Sequence, residues 1–153
     1  MNIHTIANYI EDNLTDVEMN YKIMCKLLYF IQAWHIGYYQ KKLLFKDVPI
    51  AYCHGPGYKS MSIKYYGENY ADDHIITRTE TNEIIPEVVK DIIDSVIKKY
   101  GHQNQILLQL VCENDVPWII ARKNLDRSDI FGYEKYDMKV IKKYYAGKIK
   151  KIS

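Results

Sequence analysis

The stretch Lys26-Leu27-Leu28-Tyr29-Phe30-Ile31-Gln32-Ala33-Trp34-His35 carries apolar or aromatic side chains at nearly every position. A helix that is hydrophobic all round has to be enclosed by the rest of its domain, so the run predicts a buried central helix with Leu27, Leu28, Ile31 and Trp34 in the core. Asn20 directly before it is the favoured N-cap, with the capping-box spacing of Thr15-Asp16-Val17-Glu18 as the alternative. Gly37 is the expected stop.

Outward from this helix the elements follow in order. Ile3, Ile6, Ala7, Ile10 and Leu14 share one stripe of a first helix. Leu43 to Tyr52 is short, apolar and partly β-branched, and Pro49 within it favours an edge strand or extended loop over a central strand. Tyr38–Lys41 is a candidate hairpin turn. Gly55-Pro56-Gly57 reads as punctuation before a short helix at Ser60–Tyr66, closed by Gly67. Asn69–Glu83 is polar and reads as an exposed connection with a brief strand at His74–Thr77. Pro86 suits the first position of the next helix, whose face is Val88, Val89, Ile92, Ile93, Val96 and Ile97 and whose end is Gly101. Asn104 caps a helix through Leu110, Pro117 opens another with Trp118 in the core, and Asp137 caps the last, ending at Gly147. The expected fold is mainly α: a single compact helical domain over residues 1–153, with a small β element, hairpin or edge strands, between the second and third helices. Residues 148–153 form a basic tail.

Composition narrows the class more than the function. A chain of 153 residues with 48% hydrophobic content and net charge +2 can bury one core, is not of the disordered class, and gives no field that demands a nucleic-acid partner. Its 15 tyrosines accompany abundant Ile, Lys and Asn, as AT-rich codons would produce, or mark an aromatic surface. Cys25, Cys53 and Cys112 fit neither a C-x-x-C motif nor a secreted disulfide framework, which points to the reducing cytoplasm. The N-terminal segment lacks the pattern of a signal peptide, and no apolar run has the length of a membrane span.

Chemistry has few candidates. His4, His35, His54, His74 and His102 stand singly, so no metal is expected, and no phosphate-cradling motif implies a cofactor. Cys53 and His54 are adjacent on an extended segment and point to opposite faces, which disfavours a Cys/His hydrolase. Lys135, Lys139, Lys142, Lys143, Lys148, Lys150 and Lys151 with Tyr144 and Tyr145 make a basic, aromatic C-terminal region. It is the basis of the alternative reading as a nucleic-acid-binding protein, though it lacks Arg for bidentate phosphate contacts.

Ile6-Ala7-Asn8-Tyr9-Ile10, Lys26-Leu27-Leu28-Tyr29, Gln32-Ala33-Trp34-His35, Leu44-Phe45, Gly55-Pro56, Tyr100-Gly101, Leu107 to Leu110, Pro117-Trp118, Ala121-Arg122 and Ile141 with Tyr144-Tyr145 occur in an order that resembles the SocA-like family of phage-associated and antitoxin proteins, also called the Panacea domain. Two positions depart from that pattern: Gly57-Tyr58-Lys59-Ser60 replaces an apolar stretch with a Pro-acidic pair, and Val111-Cys112 stands where relatives carry Thr-His. The resemblance implies a mainly helical, non-catalytic protein that neutralises a toxin by direct contact, with a protease as further partner where it serves as an adaptor. Neither membrane nor nucleic acid is an expected partner. The expected contact segment is His54, Gly55, Pro56, Tyr58, Met61 and Tyr65, aromatic anchors following a Gly-Pro-Gly turn.

Overall fold

A computed structural model describes residues 1–67, 78–126 and 129–148, and the 26–35 run lies within helix α2 (Tyr21–Tyr38). Met24, Leu27, Leu28 and Ile31 are wholly enclosed. The Asn20 side chain caps the helix, accepting from the Ile23 amide at 2.9 Å. Gly37 stays helical; the chain turns at Gln40 and Lys41, whose φ angles of 49° and 72° are left-handed, and the Lys41 amide donates to Ile36 O at 2.9 Å.

The polar residues of α2 order the next segment. Gln32 Nε2 donates to Phe45 O at 2.6 Å while its Oε1 accepts from the Leu44 amide at 2.7 Å, and the His35 Nδ1–H donates to Lys42 O at 2.8 Å. These side chains satisfy backbone groups that a strand would otherwise pair, so 43–49 runs as irregular chain against the core.

The sheet is β1 (Ile50–Tyr52), β2 (Gly55–Gly57) and β3 (Glu134–Lys135), all antiparallel in the order β2-β1-β3. Two expectations are corrected here. The hairpin turn is Cys53-His54 rather than Tyr38–Lys41, and the strand after Pro49 is central rather than an edge. Pro49 is compatible because it precedes the strand and supplies only its carbonyl, which accepts from the Tyr136 amide at 3.0 Å. Gly55-Pro56-Gly57 is itself a strand, buried against α2. A Cβ on Gly57 would lie 2.4 Å from both Tyr21 Oη and Tyr52 Cε2, so only glycine allows this approach.

Helices α1 (Ile3–Asn13), α4 (Glu87–Tyr100) and α7 (Met138–Lys148) pack on α2, and α3 (Lys59–Tyr66) follows the hairpin, closed by Gly67 at φ 76°. Pro86 occupies the cap of α4, just outside the helix, and Val88 is exposed while Val89, Ile92, Ile93, Val96 and Ile97 face inward. Two short helices complete the fold, α5 (Gln105–Glu113) and α6 (Val116–Ala121). Asn104 Oδ1 caps α5 by accepting from the Ile106 amide at 2.8 Å, and α7 follows Asp137, whose Oδ1 accepts from Lys139 N at 2.9 Å. One buried cluster joins residues from Ile3 to Tyr145. The strand expected at His74–Thr77 and tail residues 149–153 lie outside the described residues. No helix among the described residues is long and apolar enough to cross a membrane.

Candidate partner interface

The segment expected to present aromatic anchors faces the interior. Tyr58 and Met61 have 0% exposure, and Tyr65 is buried with its hydroxyl donating to Glu11 Oε1 at 2.9 Å. Gly55 and Pro56 are buried in β2, and His54 is half-buried, its ring stacked on Tyr52 at 5.4 Å. The correction has a simple cause: Tyr58, Met61 and Tyr65 share one helical stripe, and a stripe of that kind normally faces the core. What α3 turns outward is Ile63 and Tyr66. More generally Tyr21, Tyr29, Tyr58, Tyr65, Tyr100, Tyr136 and Tyr145 are all buried, so much of the tyrosine content builds the interior.

Among the residues expected in the core, Leu27, Leu28 and Ile31 are fully enclosed and Trp118 nearly so, whereas Trp34 sits at the border. Its ring meets Tyr100 edge-on at 6.4 Å, and Lys99 Nζ lies over it at 5.7 Å.

Cys25, Cys112 and His54 are poorly placed for nucleophilic chemistry. Burial pushes Cys25 and Cys112 each up to about 12, so both stay protonated at neutral pH. Burial, reinforced by Lys26 and Lys22, drives His54 down to about 4. No group of three or more His, Cys, Asp or Glu among the described residues could hold a metal ion.

The strongest local construction surrounds α6. Asp115, at its N-terminal cap, accepts from the Tyr29 hydroxyl at 2.5 Å and from the Tyr145 hydroxyl, tying α6 to α2 and α7. Trp118 Nε1 donates to Tyr52 O at 2.8 Å. The buried Arg122 guanidinium donates to Ala51 O at 2.9 Å, Gly132 O at 2.8 Å and Asp129 O at 2.9 Å, and lies 5.5 Å over the Trp118 ring. Together these bonds fix α6 to β1 and to the loop before β3.

Asp115 also sets a pH dependence. Burial raises its pKa, opposed by the Tyr145 and Tyr29 hydrogen bonds. Because the folded value lies above that of an ordinary, solvated Asp carboxyl, its contribution is full below the ordinary value and is lost as pH rises through the raised one. Asp115→Asn, which cannot ionise, is therefore expected to reduce this fall in stability. The check is the difference in urea-unfolding free energy between variant and wild type as a function of pH; a difference that stays constant through acid pH would contradict the assignment.

With its inner side so anchored, this region exposes an apolar outer side. Ile106 is 72% exposed, and Leu107 and Leu110 accompany it on α5, with Val116, Ile119 and Ile120 on α6. From Asn104 to Ala121 the only charged residues are Glu113 and Asp115, and Asp115 is buried. Beside α6 a depression of about 230 Å³ is lined by Trp118, Ile119, Arg122, Lys123 and Leu125. Next to it, Asp129 Oδ1 accepts from the Phe131 amide at 3.0 Å and the Gly132 amide at 2.8 Å, a side-chain turn that holds Phe131 out at 85% exposure. Exposed aliphatics in this number, nearly free of charge and accompanied by an aromatic tip, have the composition of a protein-binding surface. From sequence, α5 and α6 read as two short helices with Trp118 in the core, without an exposed apolar side. The overlooked signal was excess: Ile106, Leu107, Leu108, Leu110, Val111 and Cys112 are more apolar residues than one face of a short helix can bury.

A family model described as antitoxin SocA-like, Panacea domain, matches residues 24–119 of the chain. The match starts within α2, ends within α6, and leaves α1 and α7 outside. No curated protein and no solved structure matches the chain.

Proposed function

We propose that this chain, which belongs to the antitoxin SocA-like, Panacea-domain family, neutralises a protein toxin in the cytoplasm by direct, non-catalytic contact. The contact surface in this reading is the outer side of α5 and α6 with the Phe131 tip. The observation that carries it is the exposure of Ile106, Leu107, Leu110, Val116, Ile119 and Ile120 on helices that Asp115, Trp118 and Arg122 hold in place. A preformed apolar surface loses little conformational freedom on binding, which lowers the ordering cost of association. The protonated thiols of Cys25 and Cys112 favour contact over turnover.

The test is co-expression with the product of the adjacent reading frame in cells that this product arrests. Growth is expected to resume, and the two chains are expected to purify as a stoichiometric complex. Rescue without a complex, or with a full-length toxin that carries a covalent modification, would overturn the proposal. The amount of toxin in rescued cells separates two modes of neutralisation: a direct block leaves it constant, and an adaptor that delivers it to a protease lowers it.

A further inference from the structure

Between α2 and α5 lies a cleft of about 210 Å³ lined by Lys22, Lys26, Gln105, Ile106 and Gln109, among others. Lys26 is 4% exposed. The acceptor its ammonium meets is the Lys22 carbonyl one turn back on its own helix, at 3.5 Å, the outer limit of a hydrogen bond. The Lys26 stem passes beneath the hairpin, where a Cβ built on Gly55 would lie 3.3 Å from Lys26 Cε and 3.3 Å from Cys112 Cβ.

Among the described residues, none of the groups that act on this ammonium supplies a negative charge. From α2 come Lys22 and Cys25, from α5 Cys112, and from the hairpin His54. Both thiols stay protonated, His54 is neutral, and Lys22 is a second cation. Burial of a cation without a counterion is unfavourable, and burial lowers the Lys26 pKa accordingly. The cleft itself is open to one of the exposed apolar residues, since Ile106 forms both its wall and part of the outer side of α5. Gln105 adds an amide donor suited to an oxyanion, and Gln109, whose Nε2 donates to Glu113 Oε1 at 3.1 Å, keeps a second N–H for one.

We propose that this cleft is an anion site that receives an Asp or Glu carboxylate of the bound protein partner, with Lys26 as counterion and Lys22 at the mouth. The inference rests on the reading of α5 and α6 as the contact surface. Because Ile106 serves both features, the partner's carboxylate is expected to be flanked by apolar side chains. The missing charge is thus supplied only in the complex, which would make Lys26 a determinant of partner choice.

The test separates this site from the contact surface. Lys26→Met keeps the stem and removes the charge, with Lys26→Gln as the second variant should Met fail to fold. Either is expected to melt no lower than wild type, since it removes an uncompensated buried cation, and to bind the adjacent gene's product about tenfold or more weakly. Independently of any partner, titration with acetate is expected to shift the side-chain amide NMR signals of Gln105 and Gln109 in wild type but not in the Lys26 variant. A folded Lys26 variant that binds the partner as wild type does would overturn the proposal whatever acetate does. If Leu107→Asp still abolishes that binding, the contact surface stands. Unmoved amide signals in acetate would overturn the anion site, and a shift with inorganic phosphate alone would overturn its assignment to carboxylate. Wild-type binding by both Lys26 and Leu107 variants would overturn site and surface together.

Discussion

Trp118→Ala is expected to lower the unfolding free energy by about 3–5 kcal/mol, the largest stability effect of a single substitution proposed for this chain. The ring is 3% exposed, so its removal leaves a cavity. Its Nε1–H also satisfies Tyr52 O in the central strand, and the Arg122 guanidinium lies across its face. The loss is therefore expected to spread to the bonds Arg122 makes with Ala51, Asp129 and Gly132, loosening both β1 and the loop that carries Phe131. Urea unfolding followed by circular dichroism measures it. Trp34→Ala serves as the comparison and should cost less, because Trp34 is only partly buried. Equal stability of Trp118→Ala and wild type would remove Trp118 from the frame that supports α6.

The largest functional effect is expected from Leu107→Asp combined with Ile119→Asp. Both side chains are exposed, one on each short helix, so the folded state should change by only about 0.5 kcal/mol per site. At the centre of an apolar interface, however, each substitution places an unpaired carboxylate where water is excluded, and contacts of that kind cost about 2 kcal/mol or more. Rescue from growth arrest is expected to disappear while the melting temperature stays within a few degrees of wild type. Rescue at wild-type level would show that the toxin binds elsewhere. Sedimentation of the protein alone distinguishes a second occupant: a wild-type dimer that becomes monomeric in the double variant would assign this surface to self-association.

The elements legible in the sequence were those decided locally. The 26–35 run marks the central helix by its own density of apolar residues, and Asn20, Asn104 and Gly67 end or start helices through bonds or backbone angles within a turn. The sheet was only half legible. Residues 50–57 form a hairpin whose turn is short, but β3 comes from beyond α6, and nothing in the Glu134–Lys135 pair announces that it will flank Ile50 and Ala51. Pro49 argued against a central strand because its position just outside the pairing could not be read from the residue type.

The segment from Tyr58 to Tyr65 lies inward, against expectation, for a related reason. Tyr58 and Met61 looked like anchors after a glycine-rich turn, yet that turn is a strand against α2 and carries both side chains inward. The network of Tyr29, Asp115 and Tyr145 joins three helices and has no local signature. This network, with Arg122, anchors α6 from its inner side while Val116, Ile119 and Ile120 stay exposed.

The most direct measurement is titration calorimetry of the purified chain against the purified product of the adjacent gene. Neutralisation through α5 and α6 predicts a saturable, stoichiometric transition with a negative heat-capacity change from apolar burial, absent in the Leu107→Asp, Ile119→Asp variant. Rescue in cells without any such binding in solution would contradict neutralisation by direct contact.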